Sequence, residues 1–196
     1  MTIISCSILI VRTSSAAKHS SSKSTFGSLN KARAITSFFF CPPDRNFALL
    51  ENLKAIAEIT IEDKNLIYHK IYQLIAKFEL DAIRDIKAKF LSGGQKKKLV
   101  IALALLSEPK VLLLDECFAA LDVLTIKMLQ EIIVNLQTET NITICICDHQ
   151  ARDLLSCVDV AVILSNCKIV AQGSPNELVN NTEAKNAYFG DSFKFN

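Results

Sequence analysis

Glycine is scarce: the chain has five in 196 residues, where average usage at roughly 7% gives about fourteen. Collagen-like and Gly-rich disordered classes are excluded, and any phosphate loop built from glycines has few to draw on. Tryptophan is absent. Charge of either sign is not in excess: 22 Lys and Arg stand against 20 Asp and Glu, a net +2. That balance argues against bulk nucleic-acid binding, which carries a clear basic excess. Long apolar runs are missing too. The longest, Leu99 to Leu106, has eight residues against the roughly 18 that span a bilayer. Residues 3–11 (IISCSILIV) resemble a signal h-region, but no Lys or Arg precedes them and Arg12 follows directly; a buried strand is the expectation. Seven cysteines occur, and the one close pair, Cys145 and Cys147, has strand spacing i, i+2 rather than a CxxC spacing. Reduced cysteines used as small apolar residues fit a cytosolic compartment.

Residues 12–28 are Ser-rich, a loop by composition, and 35–43 (ITSFFFCPP) read as a short strand stopped by prolines. From Phe47 the spacing turns helical through Leu49, Leu50, Leu53, Ile56 and Ala57. It does so again over 63–79 through Leu66, Ile67, Ile71, Leu74, Ile75 and Phe78, and a third helix follows Gly94. The period then changes. KVLLLDE (110–116) and NITICICDH (141–149) read as strands buried on both faces, separated by a helix over 123–138 with Leu124, Met128, Leu129, Ile132, Ile133 and Leu136 as its apolar positions. VDVAVILS (158–165) and KIVAQG (168–173) are strands joined by a tight turn at Asn166, and SPNE (174–177) is a capping box with Pro175 at the first helical position. Strands alternating with helices predict an α/β sheet with parallel pairs. Three regions are expected: 1–46, a helical region over 47–106, and an α/β core over 107–196.

The chemistry sits in short motifs. LSGGQ (91–95) puts Ser92, Gly93, Gly94 and Gln95 at a helix start, where backbone N–H groups and the helix dipole form an anion site; the plainer reading is a Ser-Gly-Gly loop that only starts a helix. Asp115 and Glu116 end a buried strand at the edge where α/β sheets bind ligands. Asp115 is suited to hold Mg²⁺ through water and Glu116 to orient an attacking water; a metal-free acidic strand end is the alternative. His149 ends the next strand, where it could bond a phosphate oxygen or simply be solvated. Asp122 in AALD (119–122) is by itself a helix N-cap.

Taken in order, LSGGQ, VLLLDE, AALD and His149 resemble the signature, Walker B, D-loop and switch histidine of the ATP-binding cassette (ABC) ATPases. RNFALLENLKAI (45–56), LSGGQKKK, LDECFAALD and the tail NAYFGDSFKF (186–195) resemble the lipopolysaccharide-export ATPases within that family. The ATPases of branched-chain amino-acid importers are the nearest competitors. The resemblance implies a P-loop NTPase-like α/β fold with a helical subdomain, ATP and Mg²⁺ as cofactors, and a homodimer on the cytoplasmic face of the bacterial inner membrane beneath two transmembrane permease subunits. It implies that Glu116 and His149 are catalytic, and that Ser92, Gly93, Gly94, Gln95 and Asp122 bind nucleotide.

The first 45 residues depart from that pattern. The P-loop motif G-x-x-x-x-G-K-[ST] is absent; the nearest match, AKHSSSKSTF (17–26), places Lys23, Ser24 and Thr25 on the family's Lys-[ST]-Thr, with Ser24 as a second Mg²⁺ ligand, but Ala17, Ser20 and Ser22 stand at glycine positions. Two readings stay open there: a Ser-rich loop with one lysine, or a degenerate P-loop. Forced positive φ at Ser or Ala costs roughly 1–2 kcal/mol each. The Q-loop glutamine is also missing, since the first Gln is Gln73, and Cys117 stands where Pro usually follows the catalytic Glu. A transport ATPase and a non-catalytic or decaying remnant both follow from these residues. With Gly27, Gly173 and Gly190 expected in turns, no glycine is left for a phosphate loop.

Overall fold

The computed structural model describes the backbone of residues 7–12 and residues 43–140, 142–165 and 168–190. The Ser-rich segment with Lys23, Ser24 and Thr25, most of the expected strand over 35–43, the turn at Asn166, Gly27 and the end of the tail lie outside them. The described chain falls into two units: a helical one ending at Pro109, and one that holds the sheet and takes up the chain again at Lys110.

In the helical unit α1 (Leu49–Thr60), α2 (Lys64–Lys77) and α3 (Gly93–Leu105) follow the predicted periods. Their inward positions are Leu49, Leu53 and Ala57, then Ile67, Ile71 and Ile75, then Leu99, Ala102 and Leu103. A helix turned toward a core on one side buries every third or fourth residue, so Leu66, one position off that stripe, is 44% exposed. Asp63 caps α2, accepting the Asn65 N–H at 2.9 Å. Buried Asn52 of α1 ties down the chain that enters it, accepting the Asp44 N–H at 2.7 Å and donating to the Asp44 and Ala48 carbonyls at 3.1 and 3.0 Å.

The second unit carries β1 (Ser7–Arg12), β2 (Val111–Asp115), β3 (Thr143–Asp148), β4 (Val160–Ser165) and β5 (Lys168–Gly173), in the order β2-β3-β1-β4-β5. The expected parallel pairing holds for β2 with β3, whose crossover is α4 (Val123–Thr140). It does not extend to β1, which runs antiparallel to both neighbours; β4 and β5 pair antiparallel, as two strands expected to be joined by a tight turn must. A period-2 pattern fixes which residues share a face but not the direction of a strand.

Burial also corrects the sequence reading. β2 and β3 are not buried on both faces. Leu113 is 39% exposed, and Thr143, Cys145 and Cys147 are half-buried, whereas Ile144 and Ile146 are fully buried. In α4 the inward positions are Ile126, Leu129, Ile133 and Leu136, while Leu124, at the first turn, is 78% exposed.

Gly173 lies at the end of β5 rather than in a turn. What requires glycine is room: a Cβ there falls 2.8 Å from Glu177 Oε2 and 3.2 Å from its Cβ. That carboxylate accepts the Ser174 N–H at 2.7 Å and its hydroxyl at 2.8 Å, closing the capping box of α5 (Pro175–Asn180). The Ser174 bonds hold Glu177 below the usual carboxylate range. The cap therefore contributes above the ordinary glutamate pKa and is lost as pH falls. Gly173→Ala displaces the Glu177 carboxylate from the cap and lowers the urea midpoint with unchanged slope, more at neutral pH than below the ordinary glutamate pKa.

Candidate functional site

The parallel register sets Asp115 opposite Cys147 and Leu114 opposite Ile146, so β2 and β3 deliver their carboxyl ends to one edge of the sheet. Beyond that edge Glu116 adopts φ 46° and donates its N–H to the Cys147 carbonyl at 2.8 Å. A non-glycine residue in this region is uncommon and strained, and such residues gather at working sites. The turn separates two environments. Asp115 and Glu116 face solvent, while Cys117 and Phe118 go inward, 3% and 0% exposed.

Asp148 joins the two strand ends. Its carboxylate is buried and accepts three backbone N–H groups: Phe118 on Oδ2 at 3.0 Å, and His149 and Gln150 on Oδ1 at 2.8 and 3.1 Å. Gln150 closes the connection by donating its side-chain amide to the Phe118 carbonyl at 3.2 Å. A buried carboxylate is tolerable when its lone pairs are met in this way. The imidazole of His149 stays exposed; its Nδ1 lies 3.6 Å from Asp148 Oδ1, too far for a hydrogen bond. The backbone beneath it is held from the tail, where the Tyr188 hydroxyl donates to the His149 carbonyl at 2.7 Å.

Asp122 occupies the N-cap position of α4. It accepts the Thr125 N–H at 3.0 Å and the Thr125 hydroxyl at 2.6 Å, and these bonds hold its carboxyl below the usual range. On β3 the influence of Cys147, with burial, pushes the Cys145 thiol above the ordinary range, and that of Cys145 draws Cys147 below it.

In the helical unit Ser92 is the N-cap of α3: its hydroxyl accepts the Gln95 N–H at 3.3 Å, and the Gln95 side chain accepts the Ser92 N–H at 2.9 Å. Both polar side chains of the motif are thus engaged in shaping the helix start. Gly93 and Gly94 are its first two residues, positions whose N–H groups have no intrahelical carbonyl to meet. Lys98 does not join an anion surface; it is buried and paired with Glu79 at 3.5 Å.

The structure therefore assembles Asp115, Glu116 and His149 at one sheet edge and Ser92, Gly93, Gly94 and Gln95 at one helix start. Asp122 sits in its own cap, and Lys23, Ser24 and Thr25 lie outside the described residues. Sequence reasoning missed Asp148 as the anchor, and it met Tyr188 only within a family-like tail. An acid before a strand-end histidine was the available signal for the first; nothing local identified the second.

Residues 23–119 match the family model described as ABC transporter. The lipopolysaccharide export system ATP-binding protein of Haemophilus influenzae is 34% identical over 154 residues, which is 76% of this chain and 62% of that protein. Its namesake from Escherichia coli K12 is 29% identical over 171 residues, covering 83% and 69%. Among solved structures, CbiO1 of Clostridium perfringens, part of the ABC transporter complex CbiONQ, superimposes with a TM-score of 0.65 at 26% identity, over 72% of this chain and 56% of that one. The chain spans 62%, 55% and 50% of the lengths of three curated relatives.

Asp148→Asn keeps one acceptor oxygen but turns an amide NH₂ toward a backbone N–H. The expected loss is about 1–3 kcal/mol, measured by urea unfolding.

Proposed function

The chain belongs to the ABC transporter family of ATP-binding subunits, and from that premise we propose that it serves a lipopolysaccharide-export transporter. The observation that carries this reading is the shared edge at which β2 and β3 present Asp115, Glu116 and His149, held together through Asp148. The similarity to lipopolysaccharide export proteins supports the choice of cargo.

In this reading ATP lies between two copies of the chain. The start of α3 meets the γ-phosphate of a nucleotide held by the other copy: Ser92 and Gln95 shape the turn, and Gly93 and Gly94 direct backbone N–H groups at the anion. The first two N–H groups of a thirteen-residue helix have no carbonyl of that helix to meet, which suits them to a phosphate. Magnesium bound to nucleotide asks for one or two protein carboxylates besides phosphates and water, and exposed Asp115 fits that demand. When bound, the ion neutralises charge developing on the phosphates. Glu116 orients the attacking water, and His149, exposed on a backbone pinned from both sides, contacts the phosphate. Asp122 fixes the start of α4 beside the partner copy, and Lys23, Ser24 and Thr25 supply a degenerate phosphate loop with Ser24 on the metal. Two transmembrane permease subunits complete the assembly at the inner face of the bacterial inner membrane, with the helical unit as their contact. Among the described residues no helix is long and apolar enough to cross a membrane, which agrees with a peripheral subunit.

A second reading is favoured by the direction of β1. A phosphate loop follows the carboxyl end of a strand and opens a helix. Here β1 pairs Arg12 with Ile144 and Ile8 with Asp148, so its carboxyl end lies at the sheet edge opposite Asp115. A chain of this kind donates its α3 start to a nucleotide bound by a different subunit rather than holding one itself.

Phosphate release from Mg-ATP separates the two. If the chain hydrolyses ATP as a homodimer, Glu116→Gln lowers the rate by ~10²-fold or more. Equal background rates for both proteins, with no ATP binding in a direct titration, would sink the self-sufficient ATPase. Release that appears only on mixing with a P-loop-bearing subunit, and is lost with Gly94→Asp, supports the donor reading.

A further inference from the structure

Cys145 and Cys147 are used by none of the nucleotide chemistry above. They alternate along β3 with Ile144 and Ile146, both fully buried, so the two thiols share the opposite face, where both are half-buried. Their register partners on β2 are Leu113 and Asp115, both exposed, so this part of the face is open to solvent.

A direct bond between the sulfurs suits this geometry poorly. A strand rises about 3.4 Å per residue, which sets Cα atoms two residues apart at roughly 6.7 Å, the outer limit of disulfide spacing. An atom placed between the sulfurs spans the same gap without bending the strand. Thiolates select soft ions. Among the described residues no group of three or more His, Cys, Asp or Glu side chains could hold a metal ion. A four-coordinate ion such as structural zinc is therefore not served, whereas an ion content with two sulfurs is.

We propose that Cys145 and Cys147 form a two-thiol site for a soft, low-coordinate monovalent cation of the copper(I) class, entering from the Leu113 side of β3. On binding, both S–H bonds break, two sulfur–metal bonds form, two protons pass to solvent and the metal keeps its oxidation state. The site stands on the sheet face beside Asp115 and does not depend on whether the chain hydrolyses ATP.

The full-length chain, fully reduced and anaerobic, is titrated with copper(I) delivered from a chromogenic chelator. Unmodified protein takes one equivalent from the chelator, Cys145→Ser and Cys147→Ser each lose it, and Cys157→Ser keeps it, with circular dichroism showing all three folded. Copper uptake unchanged in either Cys145→Ser or Cys147→Ser, or no uptake by the unmodified chain, overturns the proposal. If a serine variant fails to fold, X-ray absorption of the copper-loaded unmodified chain decides. Two sulfur neighbours alone support the site, and three or more sulfurs, or nitrogen in the first shell, overturn it.

Discussion

The carboxylate of Asp148 lies inside the sheet unit and accepts backbone N–H groups from both strand ends at the candidate site: Phe118 after β2, and His149 and Gln150 after β3. Much of the site's geometry hangs on this one group. The bond to Phe118 draws the chain inward immediately after Glu116. The bonds to His149 and Gln150 curl the other strand end back over the same carboxylate. Because each strand end is fixed to a common acceptor, Glu116 and His149 are held in relation to one another. A charge in the interior is costly unless bonded, and here the cost is offset by N–H groups that would otherwise be unpaired at the strand ends.

Around that anchor the structure assigns work in pairs of opposite burial. Cys117 and Phe118 are buried so that Asp115 and Glu116 can face solvent; the positive φ of Glu116 is the hinge between the two. Ile144 and Ile146 are buried so that Cys145 and Cys147 look the other way. The Tyr188 hydroxyl holds the His149 carbonyl from the tail, which leaves the imidazole exposed on a backbone fixed from above and below. At the start of α3 the arrangement is self-contained: Ser92 and Gln95 satisfy one another.

The family frame and the departures from it now rest on different kinds of observation. The ordered motifs, the match over residues 23–119 and the fold similarity all favour a nucleotide-binding cassette. The scarcity of glycine and the antiparallel run of β1 bear on one half of the nucleotide site, the half that grips the phosphates from the strand side. Ser92, Gly93, Gly94 and Gln95 stand together at the start of α3, and Asp115, Glu116 and His149 at one edge of the sheet. A subunit able to offer one half of a composite site is consistent with both.

Much was legible from the chain alone. The first two helices of the helical unit and the crossover helix follow from 3.6-residue spacing, the strands from short apolar runs, and the caps at Asp122 and Ser174 from polar residues at fixed offsets, because these patterns reflect interactions within a few residues. The motif residues were legible for the same reason: their spacing along the chain is short and ordered. What the tertiary structure decided was everything that depends on a neighbour distant in sequence. The direction of β1, the exposed flank of β2, the exposure of Leu124, the room required at Gly173 and the inward role of Asp148 are of that kind. Each is set by which strand or side chain lies alongside, and a period along one strand carries no record of its partner's direction or of the N–H groups that a carboxylate will meet.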